Sequence, residues 1–452
     1  MFHKVAVANR GTIAARIVRA LRELKILSHV LCSEVDKSNP YVTEADSFTV
    51  IGPASPKDSY LNMEAILDAA SQAGAEAIHP GYGFLAENAT FAKKVRERGL
   101  VFIGPSPSFL EIMGDKVLAR QRMGDLGLPL TPATPILVGS LEEKVHSARA
   151  IGFPLLIKPA GGGGGIGMLP VTTPEKLASA IETAASQAER GFGKSEVYAE
   201  RLLINPRHVE FQIVGDGQNA LHLYERDCSI QRRRQKVLEE AGAPEIAPEK
   251  LAKMAITSAE IMAKIGYDHV GTVETLYSEE TGFGFLEVNP RLQVEHAVTE
   301  EITGVDLVKT QIELASGKKI SELFSTTPSS SGWAIEARIY AEDSLRFLPS
   351  PGPLKVFRPP QGSSIRVETG FKEGLTVTPF YDPMLAQVIA HASTRVKALE
   401  LLFEALGEFA IEGLKTNLGF LRAMLRYPVF QGGRPHTRLA EEFIASQDYQ
   451  PL

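Results

Sequence analysis

The segment FLEVNPRLQVEH, residues 285–296, carries a polar side chain at every second position: Glu287, Asn289, Arg291, Gln293 and Glu295. Side chains of an extended chain alternate between faces, so this run fits a strand with one wet and one apolar face. A straight strand would spread the five polar residues over about 26 Å, at about 3.3 Å per step, too far to serve one small site. Pro290 withholds an N–H and disfavours a central strand, so the chain is expected to bend there. The bend leaves Glu287 and Asn289 on the strand and curls Arg291, Gln293 and Glu295 away from it.

Upstream, GTVETLYSEETG reads as the partner strand and turn of a β-hairpin. With the turn centred between Glu280 and Thr281, Thr272 opposes Asn289, Glu274 opposes Glu287, and Leu276 opposes Phe285, all on one face. Opposed Cβ atoms lie about 4.5–5.5 Å apart, where like charges repel. Two carboxylates so placed call for a shared proton or a cation. Together with the Asn289 oxygen they make three hard donors, a set suited to Mg²⁺ or Mn²⁺. A solvated glutamate pair is the plainer alternative, and a bulge in the turn would break the register.

A chain of 452 residues suggests about three domains of about 150 residues. Its 44% hydrophobic and 23% charged residues are those of an ordinary globular protein. No apolar run approaches the roughly 18–20 residues of a membrane span, and MFHKVAVANRG is no signal peptide. Two distant cysteines, Cys32 and Cys228, suit a reducing compartment, so a cytoplasmic protein is expected. A net charge of −6 argues against general nucleic-acid or anionic-membrane partners.

Over residues 1–114, short β-branched runs alternate with helical patterns, the signature of a parallel α/β sheet. A second unit starts near Asp115 with the helix DKVLARQRMGDLG. STTPSSSG, residues 325–332, reads as a linker. Beyond it WAIEARIYAED, LKVFRPP, SIRVETG and MLAQVIAHAS read as strands, and RVKALELLFEALGEFAIEG and NLGFLRAML as helices, an α+β third domain.

The run KPAGGGGGIGM, from Lys158, fits neither a Rossmann loop, because MLPVTTP after it is strand-like, nor a Walker A loop, because Met168 stands where Lys-Ser/Thr is needed. It reads either as a flap whose bare N–H groups close on phosphate oxygens, with Lys158 as point charge, or as a flexible surface hairpin.

KPAGGGGGIGM, ERDCSIQRRRQKVLEE, FLEVNPRLQVEHAVTE, HPGYGFLAEN and FLPSPG together resemble, in order and context, the biotin carboxylases. These are the ATP-grasp subunits or domains of biotin-dependent carboxylases acting on acetyl-CoA and other acyl-CoAs, pyruvate and related acceptors. The resemblance runs from VANRGTIAARI to EGLKTN and implies three domains. They are an N-terminal α/β domain (1–114), an ATP-grasp domain (115–324) with a mobile lid at about 131–203, and a C-terminal α+β domain (333–446). It also implies the reaction. Bicarbonate attacks the γ-phosphate of ATP to give carboxyphosphate, which yields CO₂ and phosphate; phosphate removes the N1 proton of biotin, and the enolate captures CO₂.

By the same resemblance, Lys116 and Lys158 contact the phosphates with Gly163, Gly164, Gly165 and Met168 of the flap. Glu200 and Leu203 sit at the adenine and His208 near the ribose, with Arg201, Gln231 and Leu276 also in the nucleotide site. Glu274, Glu287 and Asn289 hold Mg²⁺ or Mn²⁺. Bicarbonate lies against Lys236, Arg291, Gln293 and the N–H of Val294, with Glu295 as general base. Arg338 stabilises the biotin enolate, and Tyr82, Gly83, Gln231 and Asp382 line the biotin pocket. The implied partners are a biotin carboxyl carrier protein, a carboxyltransferase and, in a homodimer, a second copy of the chain. Ending at Leu452 without an MKM biotin-attachment sequence, the chain resembles the free-standing subunit.

Departures from the pattern are Ile166 where the flap usually carries Arg, Arg234 in place of a more frequent His, and the longer EEAGAPEIAP turn. They keep open a nucleotide-binding regulator without turnover, beside a bicarbonate-using ligase of the carbamoyl-phosphate type. Cys228 reads as a buried small residue rather than a nucleophile, and His296 as a structural hydrogen-bonding group.

Overall fold

The computed structural model describes residues 1–160 and 167–451, so Gly163, Gly164, Gly165 and Ile166 lie outside the described residues. The N-terminal unit is a parallel five-stranded sheet in the order Ser47–Gly52, Leu27–Ser33, Lys4–Val7, Ala77–His79, Val101–Phe102. The order reverses between Lys4–Val7 and Ala77–His79, and open α/β sheets bind ligands beyond the carboxyl ends of their strands at such a point. Asn9 and Arg10 follow the first of these strands, and Tyr82 and Gly83 follow the second. Helix Gly11–Glu23 buries Ile13, Ile17 and Leu21 at helical spacing. Its start rests on Gly370 of the C-terminal part, where any Cβ would lie 2.7 Å from the Gly11 Cα.

An eight-stranded antiparallel sheet forms the centre, in the order Gly282–Asn289, Val270–Ser278, Arg207–Gly215, Ala220–Arg232, Gln235–Ala241, Trp333–Tyr340, Met384–Ala392, Ile365–Thr369. It runs without a break across the connector at 325–332: Trp333–Tyr340 pairs with Gln235–Ala241, with Leu238 opposite Ala337. Ile230, Val237 and Leu238 share one core with Val388, Leu402 and Phe420. The two sides of the linker are thus one sheet with a common core.

A separate three-stranded sheet, Leu169–Val171, Leu155–Pro159 and Val197–Arg201, carries helices Leu141–Arg149 and Leu177–Phe192. It has its own core, including Leu155, Ile157, Val171, Ile181 and Val197.

The stretch RVKALELLFEALGEFAIEG is not one helix as its periodicity suggests. The helix ends at Glu408, and Ala410–Glu412 forms a strand against Val356–Arg358. Phe409 is buried with its ring 5.2 Å from that of Phe357, and this contact draws the chain out of the helix.

Candidate active site

Four adjacent strands place one row of charge across the central sheet. Arg226 pairs with Glu210, Glu210 with Glu274, and Glu274 with Glu287. The hairpin therefore has the expected register at Thr272–Asn289 and Glu274–Glu287, but a bulge then shifts it, so that Leu276 faces Gly284 and not Phe285. Leu286 is the extra residue, and an unpaired bulge residue is free to be re-aimed. Leu286 and Leu276 both line the large cavity described below.

Arg226 is fully buried, donating to Glu210 at 2.7 Å, Gln212 at 2.7 Å, Thr299 at 2.9 Å and Thr272 at 3.2 Å. Lys236 reaches the row from the neighbouring strand, its Nζ 2.6 Å from Glu210, 3.0 Å from Glu274 and 2.5 Å from Glu295. Burial opposes the ammonium charge, but the surrounding carboxylates prevail and hold the Lys236 pKa well above its ordinary value. Lys236 enters through a two-residue turn at Arg233 and Arg234, both with left-handed backbone (φ 50° and 68°). Such primed turns favour Asn-Gly, so the basic sequence gives little hint of one. Arg232 beside the turn is buried on Glu342 at 2.5 Å.

The strand Gly282–Asn289 stops before Pro290, and the chain curls into helix His296–Thr303 with Glu295 at its N-cap position. A chain of bonds follows the curl. Arg291 donates to Asn289 at 3.2 Å and to Gln293 at 3.0 Å, and Gln293 donates to Glu274 at 2.9 Å. Glu87 holds the other edge of the Arg291 guanidinium, 2.7 Å from its Nε. Glu295 lies between Lys236 and Arg338, the latter at 2.9 Å. Burial would raise its carboxyl, but Lys236, Arg338 and Arg226 overcome this and keep it well below the usual carboxylate range.

A cavity of about 930 Å³ opens over this row. Lys116, Lys158, Met168, Glu200, Arg201, Leu203, His208, Gln231 and Leu276 line it, as do Glu274, Glu287, Asn289 and Arg234. Asp115 caps helix Lys116–Asp125 through the N–H groups of Val117 and Leu118, so Lys116 projects from its first turn, 2.8 Å from Glu287. Lys158 pairs with Glu200 at 3.1 Å. Gln231 donates to His208 Nδ1 at 2.9 Å, leaving Nε2 to face Glu274 at 3.1 Å. Glu274 is depressed: burial raises it, while Lys236 and His208 lower it further. Glu274, Glu287 and Asn289 fit a hard divalent cation as oxygen donors, and two of the three already attract Lys236, His208 and Lys116.

A second cavity of about 440 Å³ lies at the reversal point of the N-terminal sheet, lined by Asn9, Arg10, Tyr82, Gly83, Tyr381 and Asp382 among others. Gln231 lines only the larger cavity, and Gln235 stands in the smaller one. Tyr82, Gly83, Gln235, Val294 and Arg338 line both, so the two chambers share a wall.

Cys228 is buried with its thiol pushed up by burial and by Glu210, 3.8 Å from Glu295, a poor setting for a nucleophile. His296 bonds from Nδ1 to the Gln293 carbonyl at 2.9 Å, a structural contact that fixes the curl. Glu210, Arg226, Glu239, Glu336 and Asn9 escape the sequence reading. HVEFQI and WAIEARIY alternate just as the opening stretch does, and that signal would have flagged His208, Glu210 and Gln212, and Glu336 and Arg338.

Three family models match consecutive parts of the chain. They are the N-terminal domain of biotin carboxylase over residues 1–110, the ATP-binding domain of the carbamoyl-phosphate synthase L chain over 115–323, and the C-terminal domain of biotin carboxylase over 336–442. The chain is 46% identical to a biotin carboxylase of Halalkalibacterium halodurans over 97% of both sequences. Among solved structures it superposes on a biotin carboxylase–β,γ-ATP complex from Campylobacter jejuni with a TM-score of 0.94 at 38% identity, covering 98% and 99% of the two chains. The biotin carboxylase domain dimer of Hydrogenobacter thermophilus 2-oxoglutarate carboxylase, with MgADP and bicarbonate, gives 0.92 at 40% identity and 98% coverage of each chain. With likeness of this extent over all three parts, the chain belongs to the biotin carboxylase family and to the ATP-consuming ligases that form a carbon–nitrogen bond.

Proposed function

We propose that the chain carboxylates biotin on a carrier protein at the expense of ATP and bicarbonate, the first half-reaction of a biotin-dependent carboxylase. The observation that carries this reading is the shared wall. A large cavity rich in phosphate- and metal-binding chemistry meets a smaller pocket at Arg338 and Val294. A reactive intermediate made in one can be consumed in the other without crossing bulk water.

The nucleotide is assigned to the large cavity, its phosphates facing Lys116 and Lys158. Bicarbonate is assigned to the space bounded by Lys236, Arg291, Gln293, Glu295 and the N–H of Val294. The Arg291 fork, held by Asn289 and Glu87, suits a planar anion. Glu295 is the general base, ionised through the neutral range. Bound to Lys236 it is a weak base. When the ammonium turns to an incoming anion, that restraint is relieved and Glu295 gains the basicity to take the proton. Glu274, Glu287 and Asn289 would hold Mg²⁺ or Mn²⁺, which would supply charge neutralisation on the transferring phosphate. Arg338 faces the smaller pocket with Tyr82, Gly83 and Asp382, and is assigned to the biotin enolate.

Further parts of the proposal are a biotin carboxyl carrier protein as donor of biotin, a carboxyltransferase that sets the final acceptor, and a homodimer. A cytoplasmic location is supported by two buried free cysteines. Among the described residues no helix is long and apolar enough to cross a membrane. Bicarbonate-dependent ATP hydrolysis, measured with and without free biotin, tests the reading. Stimulation by biotin is expected. Hydrolysis indifferent to biotin would point to a carbamoyl-phosphate-type ligase, and nucleotide binding without hydrolysis to a regulator.

A further inference from the structure

Next to Arg338, the central sheet buries two carboxyl groups that the reaction as described leaves without a role. Glu239 and Glu336 stand directly opposite each other on strands Gln235–Ala241 and Trp333–Tyr340, 1% and 0% exposed. Both oxygens of Glu239 and Oε2 of Glu336 lack a well-aligned hydrogen-bond donor among the described residues. The cation that touches them is Arg338, its Nη2 2.5 Å from Glu239 and its Nε 3.9 Å from Glu336. That guanidinium also serves Glu295. Lys236, the next cation, is already surrounded by Glu210, Glu274 and Glu295.

Among the other elements packed here, the segment before strand Met384–Ala392 brings one more carboxyl, Asp382, to the pocket side of Arg338. The rest are uncharged: Gln387 donates to Glu336 at 2.6 Å and to the Val294 carbonyl at 2.8 Å, helix His296–Thr303 contributes Ala297 and Val298 to the adjoining apolar cluster, and Tyr340 brings a phenol. One guanidinium facing three buried carboxylates leaves uncompensated buried charge, which is costly. Two carboxyls at opposed positions relieve this by keeping a proton. Burial accordingly pushes Glu239 up to about 7 and, with Glu239 beside it, holds Glu336 well above the usual carboxyl range.

We propose that Glu239 and Glu336 are positioning residues for the biotin half of the reaction: a carboxyl pair that keeps one proton between its members and so gives Arg338 a single negative partner. When Glu295 takes the bicarbonate proton, Arg338 loses that counter-charge. Glu239 still holds the guanidinium in place, and because the pair carries one charge rather than two, Arg338 keeps its attraction for a biotin enolate. The inference rests on the proposed role of Arg338.

Infrared difference spectra in H₂O and D₂O at neutral pH, taken on the full chain and on Glu336→Gln, test the shared proton. The wild type is expected to show the carbonyl band of a neutral carboxyl that the variant lacks. Biotin-stimulated turnover should stay within about threefold of wild type in Glu336→Gln, where a neutral amide replaces a neutral acid. It should fall by more than about tenfold in Glu239→Gln with KM for ATP within about twofold. Absence of the band, or equal loss of turnover in both variants with matching loss of thermal stability, would overturn the proposal. If Arg338→Gln kept its biotin stimulation, the enolate role of Arg338 would fall, while the infrared band would still decide whether the pair shares a proton.

Discussion

Glu295→Gln separates chemistry from folding because of how its neighbours are wired. The carboxylate binds Lys236 at 2.5 Å and Arg338 at 2.9 Å. Without it Lys236 keeps Glu210 and Glu274, and Arg338 keeps Glu239, so neither cation is stranded. Removing one partner of an otherwise unpaired buried ion pair costs about 3–5 kcal/mol. Here the loss is that of charge-assisted hydrogen bonds partly remade by the amide oxygen, about 2 kcal/mol. A positioned general base is worth about 10²–10⁴ in rate, or about 3–5.5 kcal/mol of barrier. Three measurements on one preparation check this: bicarbonate-dependent ADP release with and without biotin, nucleotide affinity by calorimetry, and thermal unfolding. The expected result is turnover lowered by at least about 10²-fold with nucleotide affinity within about threefold of wild type. A folded variant that turned over within about tenfold of wild type would refute the assignment of Glu295 as the base.

Glu274→Gln should raise the Mg²⁺ or Mn²⁺ concentration for half-maximal turnover by about tenfold or more, read from metal titrations at fixed ATP, since it removes one charged oxygen from the proposed set of three. Arg226→Met should lower stability by about 3 kcal/mol, seen as earlier thermal unfolding: Glu210 keeps Lys236, but it loses its guanidinium and buried Gln212, Thr299 and Thr272 lose a charged donor. Burial favours the neutral Glu368, but Arg366 and Arg19 bring its carboxyl from 4.5 down to about 2. A folded-state pKa below the unfolded one stabilises above the unfolded value and is lost as pH falls through the folded value. The shift is worth about 3 kcal/mol, present above about pH 4.5 and gone near pH 2. Glu368→Gln should therefore unfold more easily than wild type in denaturant at neutral pH, and the two stability curves should converge near pH 2.

Much of the site is legible in the chain because its information is local. A hairpin partner lies a few residues away, so alternation and turn position alone set Glu274 opposite Glu287, and Pro290 marks the bend. The Leu276 pairing fails at the same hairpin because a bulge is set by how a strand fits its neighbours, which two strands read in isolation do not contain. Arg226, Glu210 and Glu239 are harder still. Arg226 and Glu210 face each other across a second hairpin whose register is broken by a bulge between His222 and Glu225, and only sheet order sets Glu210 beside Glu274, while the partner of Glu239, Glu336, lies far along the chain.

What the sequence determined by itself is the alternation of types: which residues share a face, where the strand must break, and that hard oxygen donors meet on a hairpin. Burial and neighbour order belong to the tertiary structure. Glu295 and Glu336 are the same residue type, each in an alternating stretch, and the opposite directions in which their carboxyls are pushed could not be read from either stretch. Glu295 meets two cations brought in by strands of the central sheet, which hold its carboxyl low, whereas Glu336 meets a second buried carboxyl, which together with burial pushes it up. Coulomb energies depend on distance and local dielectric, and both are set only when distant strands close over the site.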